Sequence, residues 1–210
     1  MAYNTRTMSP SRIRGVYIVG AIVVSVTVAG WFALGRASVL RDIDGDTHGS
    51  LEKPQSKWNV LFFITSDCPI ANQYAPEIRR ICDAYDPKGA SCLLVYADAS
   101  MTPVQIRANS KDYFHSAYPA IFDDGYRIAR KAGATVSSEV AVFSSGAKLE
   151  YRGRINDFYA DLGTPRQRVT HHDLRDALDA LAAGKPIANP RTQAVGCFIP
   201  DNIVSKEGSL

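Results

Sequence analysis

Short apolar runs alternate with longer amphipathic segments over most of this chain. Runs rich in β-branched and aromatic residues predict strands, whereas segments with one apolar stripe predict helices. The predicted strands are residues 58–64, 91–97, 119–122, 140–143 and 148–152, and the predicted helices are residues 69–85, 102–115, 125–132 and 171–183. This order, β-α-β-α-β-α-β-β-α, predicts an α/β fold in which a mixed central sheet carries helices on both faces.

A separate apolar stretch near the N-terminus predicts a membrane anchor. Residues 16–34 contain no charged side chain, and about 20 apolar residues suffice to cross a bilayer core. Arg6, Arg12 and Arg14 precede the stretch, so the positive-inside rule predicts a cytoplasmic N-terminus and an exported domain. A cleaved signal peptide, with small residues such as Gly35 at the cleavage site, is the alternative.

The chain therefore divides into five predicted segments. Residues 41–57 are rich in Asp, Gly, Ser and Pro, which is typical of a linker. The predicted organisation is a cytoplasmic N-terminus (1–15), one transmembrane signal anchor (16–35), a linker (36–57), an α/β domain (58–186) and a C-terminal tail (187–210). The predicted location is the cytoplasmic membrane, with the domain on the periplasmic or other extracytoplasmic side.

Composition narrows the functional classes. The 210 residues carry a formal net charge of +3, and the basic residues are interspersed with acidic ones. The absence of a basic block argues against nucleic acid as a partner. The four cysteines, Cys68, Cys82, Cys92 and Cys197, form no C-x-x-C pair and no zinc-like spacing. Thiol or disulfide chemistry remains, and no resident cofactor is predicted.

Cys68 lies where a predicted buried strand passes into a predicted helix. A thiolate at that position meets unpaired backbone N–H groups and the positive end of the helix dipole, which lower its pKa and raise its reactivity. The alternative is a small buried apolar side chain, as most free cysteines are. Its position favours a reactive or ligating role.

The segment around Cys68 resembles a known family. Residues 62–72, with the sequence FFITSDCPIAN, and residues 74–77, YAPE, are similar to the redoxin branch of the thioredoxin superfamily, near the alkyl hydroperoxide reductase and thiol-specific antioxidant group. The motifs AGKP at residues 183–186 and RTQAVGC at residues 191–197 are similar to the ends of membrane-anchored or cytochrome-fused redoxins. The resemblance covers residues 58–199 and implies a thioredoxin-like fold with Cys68 at its active site.

The resemblance also implies roles for other residues. Thr65 precedes Cys68 by three positions, as in the T-x-x-C motif of peroxiredoxins, where the hydroxyl orients the peroxide. Those enzymes place an arginine against the thiolate, and Arg152 or Arg154 is the candidate for that role, with Arg154 preferred. Cys197 is the plausible resolving partner, and an unpaired thiol on a mobile tail is the alternative.

The chain departs from the resemblance at two places. A thioredoxin-type reductase has its second cysteine where this chain has Ala71, and a copper chaperone of the same fold has one where this chain has Asn72. Related redoxins also place a cis-proline where this chain has Ser138. Because a cis bond before a non-proline residue costs about 2.5–4 kcal/mol, the sequence predicts a trans bond there.

The remaining candidate residues allow two interpretations each. Cys82 and Cys92 either form a disulfide or pack as free thiols. The neighbouring histidines His171 and His172 favour helix capping and solvation over metal binding. Residues 158–163 are predicted to form a loop that packs aromatic side chains near the site.

Three functional hypotheses follow. The preferred one is a thiol-based oxidoreductase in which Cys68 attacks a peroxide or a disulfide, and Cys197 or an external thiol reductant resolves the product. The second is a non-catalytic accessory subunit of a membrane respiratory or electron-transfer complex, which the missing C-x-x-C motif favours. The third is copper handling, with Cys68, Cys197 and a histidine as ligands.

Overall fold

The computed structural model describes residues 39–65 and 67–200, which belong to one compact unit. The central sheet contains β3 (Trp58–Ile64), β4 (Ala90–Tyr96), β5 (Ala120–Phe122), β6 (Glu139–Ser144) and β7 (Lys148–Arg154) in the order β5-β4-β3-β6-β7. Strands β3, β4 and β5 are parallel, whereas β6 is antiparallel to both β3 and β7. The mixed sheet confirms the predicted α/β class.

Strand β3 explains why the sheet is covered on both faces. Alternate residues of a strand point to opposite faces, and all seven residues of β3 are buried. Phe62 and Ile64 pack with helix α1 (Pro69–Tyr85), helix α2 (Pro103–Phe114) and helix α4 (Asp173–Ala182). The other face packs with helix α3 (Arg127–Ala132). The helices therefore lie on both faces, as the sequence predicts.

Helix α1 begins and ends at the signals in its sequence. Pro69 occupies the first turn, where a missing N–H costs nothing, and Cys68 is the N-cap. A short 3₁₀ turn over Asp86–Lys88 follows the helix, and Gly89, with φ of 104°, ends it. The strand-to-helix turn thus places Cys68 at the end of β3 and at the start of α1.

The segment predicted as a linker folds into the domain, which corrects the predicted boundary. Strands β1 (Val39–Arg41) and β2 (Thr47–Ser50) pair antiparallel, and the side chains of Leu40 and Leu51 are fully buried. The turn between the strands contains Asp42, whose carboxylate accepts hydrogen bonds from two backbone N–H groups of the turn. The turn-forming residues therefore close a hairpin, and two leucines attach it to the core.

The segment predicted as a tail also belongs to the domain. We call Pro190–Pro200 the C-terminal strap. It forms a bridge from Arg191 to Arg152 of β7 and a second bridge from Phe198 to Val136, in the loop before β6. The side chain of Ile199 is fully buried in the same core as helix α3. The strap is therefore fixed at both ends.

Two further predictions concern the aromatic loop at residues 158–163 and the transmembrane anchor at residues 16–35. Residues predicted as an aromatic loop form a small hairpin of β8 (Tyr159–Asp161) and β9 (Thr164–Pro165). The predicted transmembrane anchor lies outside the described residues. Within the described ranges, every helix is too short or too polar to cross a bilayer.

Candidate active site

Cys68 is held at the N-terminus of α1 by hydrogen bonds of the first turn. Its Sγ accepts a hydrogen bond from the Ala71 N–H at 3.4 Å, and its own N–H donates to the carbonyl oxygen of Thr65, also at 3.4 Å. The Cys68 side chain has no exposed surface, 0%. Thr65 is buried beside it. A thiolate at this position is stabilised by a backbone donor and by the helix dipole.

The C-terminal strap brings Cys197 to Cys68. The Cys197 carbonyl accepts from the Ser137 N–H at 2.8 Å, and the Cys197 N–H donates to Ser137 Oγ at 3.2 Å. These bonds pack Cys197 against the core cluster that contains Cys68, and each thiol shifts the pKa of the other. Both cysteines are free thiols. The structure thus brings together Cys68, Cys197 and Thr65 of the predicted site residues.

The interaction between the two thiols lowers the pKa of Cys68 and raises the pKa of Cys197. Burial alone would raise the pKa of Cys68, but hydrogen bonds from Cys197, Ser137 and the Ala71 N–H lower it below its ordinary value. Burial and the negative charge on Cys68 raise the pKa of Cys197 to about 11. When the pair has lost one of its two protons, the negative charge therefore lies on Cys68 and the remaining proton on Cys197.

A titration of the reduced protein tests this assignment. We expect the ultraviolet absorbance of thiolate to rise in two steps, the first below the ordinary cysteine pKa and the second near pH 11. In Cys197→Ala, the remaining step should move to higher pH, because Cys68 loses a hydrogen-bond donor to its thiolate. Two superimposed steps at the ordinary value would contradict the shared proton. The Cys82–Cys92 pair contributes no thiolate while its disulfide is intact.

Ser137 is a site residue that the sequence analysis missed. Its Oγ accepts a hydrogen bond from the Cys197 N–H and lowers the pKa of both thiols, and its backbone N–H donates to the strap. The family resemblance points only to Ser138 in this loop, because proline is expected there. The peptide bonds of the described residues are all trans, as predicted for Ser138, which instead adopts a positive φ of 67°. Ser138 Oγ donates to the Val195 carbonyl at 2.8 Å, so this loop residue also fixes the strap.

Three aromatic rings lie beside the cysteine pair. Tyr74 of α1 packs edge-on against Phe158 and Tyr159, with ring centroids 6.4 Å and 5.9 Å away. Burial raises the pKa of Tyr159, and the negative charge on Cys68 raises it further; both residues belong to the same buried cluster. The Tyr159 hydroxyl donates to the Gln73 side chain. The hairpin thus packs aromatic side chains near the site, although its backbone was predicted as a loop.

The two candidate arginines bind carboxylate and carbonyl groups in this structure, and their predicted role at the thiolate stays a prediction. Arg154 Nε lies 2.7 Å from Asp173 Oδ2 and its second nitrogen lies 3.2 Å from Asp173 Oδ1, a two-pronged ion pair at the start of α4. Arg152 contacts the carbonyl of Gly133 and the carboxylate of Glu139. Neither arginine is among the largest influences on the pKa of Cys68.

Replacing Arg154 separates a structural role from a role at the thiol. We expect Arg154→Gln to lower the free energy of unfolding by about 1 kcal/mol, because it breaks the ion pair with Asp173, and to leave the pKa of Cys68 unchanged. Chemical denaturation and the rate of Cys68 alkylation against pH measure the two effects. Arg80→Gln is the control, because that side chain is 64% exposed. A rise in the pKa of Cys68 in Arg154→Gln would support the predicted role of Arg154 at the thiolate.

The other cysteines and the histidines carry no site of their own. Cys82 and Cys92 form a disulfide with Cα atoms 5.9 Å apart, which decides between the two interpretations of their sequence. Residues 39–65 and 67–200 contain no group of three or more His, Cys, Asp or Glu side chains that could hold a metal ion. The predicted copper triad of Cys68, Cys197 and a histidine therefore does not form there. His172 precedes α4 without capping it through its side chain.

Comparison with known proteins agrees with this arrangement. Residues 37–154 match the AhpC/TSA family. No curated protein matches the chain in sequence. The crystal structure of an uncharacterized conserved protein from Geobacillus kaustophilus aligns with a TM-score of 0.67 at 24% identity, over 78% of this chain and 88% of that one. A hypothetical protein from Sinorhizobium meliloti 1021 aligns with a TM-score of 0.65 at 22% identity, over 78% and 90%.

A third structure extends the comparison of folds. The structure of MTB dsbF in its mixed oxidized and reduced forms aligns with a TM-score of 0.51 at 15% identity, over 68% of this chain and 93% of that one. At these identities the solved structures show a shared fold. The fold is thioredoxin-like, as the resemblance of the Cys68 segment implies.

Proposed function

The chain belongs to the AhpC/TSA family, and on that basis we propose that it is a thiol–disulfide oxidoreductase whose Cys68 and Cys197 cycle between a dithiol and an intramolecular disulfide. The observation that carries the proposal is that the strap, bound to Ser137, packs Cys197 against the core cluster that contains Cys68, although the two cysteines are far apart in sequence. Two thiols held close together can form a disulfide with little movement of the backbone. The pair replaces the C-x-x-C motif that the sequence lacks.

Polypeptide or other organic disulfides fit this site better than peroxides. In the resemblance, the peroxide reaction depends on an arginine at the thiolate, and Arg154 is instead paired with Asp173. Thiol–disulfide exchange needs only a thiolate, a second thiol within reach and a leaving group of low pKa, and the pair supplies all three. The structural relative dsbF has been described in oxidized and reduced forms, which fits the same chemistry.

Mapping the cysteines after oxidation tests the proposal. We expect a glutathione redox buffer to convert the reduced protein to a form with a Cys68–Cys197 disulfide, which peptide mapping by mass spectrometry identifies. The bond should be absent from Cys68→Ser and Cys197→Ser. A Cys82→Ser/Cys92→Ser double variant is the matched control and should retain it. Oxidised protein that keeps Cys68 and Cys197 as free thiols would instead support the accessory-subunit hypothesis.

We also propose that residues 16–35 anchor the protein and that the domain faces an extracytoplasmic compartment. The uncharged sequence of this stretch and the preceding arginines support the orientation. The Cys82–Cys92 disulfide supports it independently, because structural disulfides persist in oxidising compartments.

Protease protection tests the proposed topology. Protease added to intact spheroplasts should remove the domain while an epitope placed before residue 14 stays protected, because that end lies in the cytoplasm. A cytoplasmic protein serves as the control for intact cells. A soluble mature protein that begins near residue 38 would show a cleaved signal peptide, and protection of the domain would reverse the orientation.

A further inference from the structure

The two sulfurs of the redox pair differ in how far an outside molecule can reach them. Cys68 has no exposed surface, whereas Cys197 is partly exposed. The first turn of α1 contacts the Cys68 sulfur, and Cys197 packs against the buried cluster that contains Cys68. Given the proposed thiol–disulfide function, we infer that outside thiols and disulfides exchange with the protein at Cys197, and that Cys68 is the buried partner sulfur.

The geometry of disulfide exchange supports this assignment. An attacking thiolate approaches a disulfide sulfur from the side opposite the bond that breaks. For attack on Cys68 the approach is closed, because the residue has no exposed surface and the Ala71 N–H contacts its Sγ. Cys197 is the partly exposed residue of the pair, so an outside sulfur reaches the disulfide from its side. Only Cys197 therefore offers an open line of approach.

The exchange reaction can be written with all atoms and electrons accounted for. An outside thiolate bonds to Cys197 Sγ while the Cys68–Cys197 bond breaks, and Cys68 leaves as a thiolate with the bonding electron pair. A second thiol of the outside molecule loses its proton to solvent and attacks the outside sulfur of the mixed disulfide. Cys197 then leaves and takes up a proton. The outside dithiol is oxidised to a disulfide, and the pair is reduced by the same two electrons.

The electrostatics of the pair fit this division of roles. Burial opposes the charge on Cys68, yet the hydrogen bonds to its sulfur set its pKa below the ordinary value. A sulfur with a low pKa leaves faster in disulfide exchange. The pKa of Cys197, raised by burial and by the charge on Cys68, keeps that sulfur protonated once it is released. The buried sulfur therefore suits the leaving group, and the exposed sulfur suits the contact with the outside molecule.

Single-cysteine variants with probes of two sizes test the inference. Reduced Cys68→Ser and Cys197→Ser chains, with the Cys82–Cys92 disulfide intact, are each mixed with a small symmetrical disulfide and with a disulfide-linked peptide. Within one variant, the ratio of the two rates cancels the difference in thiolate fraction between the cysteines. For each variant we divide the rate of reaction with the peptide disulfide by the rate with the small disulfide. We expect this ratio to be about tenfold higher or more for Cys197 than for Cys68, because limited access slows the large probe only at the buried thiol. The same variants unfolded in denaturant should give equal ratios.

The outcomes separate this inference from the proposed function. Equal ratios in the folded variants, or a higher ratio for Cys68, would overturn the exchange role of Cys197. That result leaves the redox cycle intact if the wild-type chain still forms the Cys68–Cys197 disulfide. Failure of the wild-type chain to form that disulfide would instead remove the proposed function. If a serine variant does not fold, as judged by its thermal unfolding, the corresponding alanine variant gives the same comparison.

Discussion

Replacing Gly196 by alanine should separate the two cysteines of the redox pair. A Cβ at this position would lie 2.9 Å from both the Ser137 carbonyl carbon and Ser138 Oγ, and closer still to the Ser137 oxygen. Backbone atoms cannot yield as a flexible side chain can, so the strap must move away from the loop before β6. Because Cys197 follows directly in the chain, its hydrogen bonds to Ser137 move with it.

The expected effect of Gly196→Ala is large because the cysteines react as neighbours. We expect the rate of Cys68–Cys197 disulfide formation to fall by about a hundredfold, since a displacement of about 1 Å can cost that much in an oriented reaction. Alkylation of Cys68 should become faster in the same variant, because the strap no longer encloses its sulfur. The opposite signs of the two changes distinguish displacement of the strap from unfolding.

A second glycine provides a matched control for this substitution. A Cβ at Gly125 would make only ordinary contacts of 3.9 Å and 4.0 Å, both with the Arg127 side chain. Gly125→Ala should therefore leave both rates unchanged. Rapid disulfide formation in Gly196→Ala, equal to that of the wild-type chain, would show that the strap reaches Cys68 without its close contact to Ser137.

The elements near Cys68 could be predicted because their signals are local. A continuous apolar run produces β3 at the predicted bounds, and the Pro69 signal produces α1, also at its predicted bounds. The helix over Pro103–Phe114 likewise follows its local signal, a capping box in which Thr102 and Gln105 exchange hydrogen bonds. Each of these elements depends on residues that are neighbours in the sequence, so a single sequence contains the information.

The parts that the sequence did not predict depend on contacts between distant residues. Cys197 is positioned by Ser137, which is 60 residues away, and neither residue's local sequence specifies that pairing. Arg154 is bound to Asp173, which lies 19 positions further along the chain and which a pattern of charges alone does not select. The β1–β2 hairpin was predicted as a linker because its turn residues are also typical of linkers, and only the burial of Leu40 and Leu51 distinguishes the two.

Removing the Cys82–Cys92 disulfide should lower stability without affecting the redox pair. The bond joins the last turn of α1 to β4 and closes a loop with a sequence separation of 10 residues. A cross-link of this length restricts the unfolded chain, so Cys82→Ala/Cys92→Ala should lower the free energy of unfolding by about 2–3 kcal/mol. Chemical denaturation of the oxidised proteins measures the difference.

Exposure to outside thiols distinguishes the Cys82–Cys92 disulfide from the Cys68–Cys197 pair. Cys82 is almost fully buried, at 1% exposure, and Cys92 has 9%, so neither sulfur offers an outside thiol the access that Cys197 offers. The rate of Cys68–Cys197 disulfide formation should therefore be the same in the double variant as in the wild-type chain at a temperature where both are folded. In the wild-type chain, a mild reductant should open the Cys68–Cys197 bond first. The thermal midpoint should then stay close to that of the fully oxidised wild-type chain. Loss of Cys68–Cys197 exchange in the folded double variant would instead mean that the two disulfides act in one electron path.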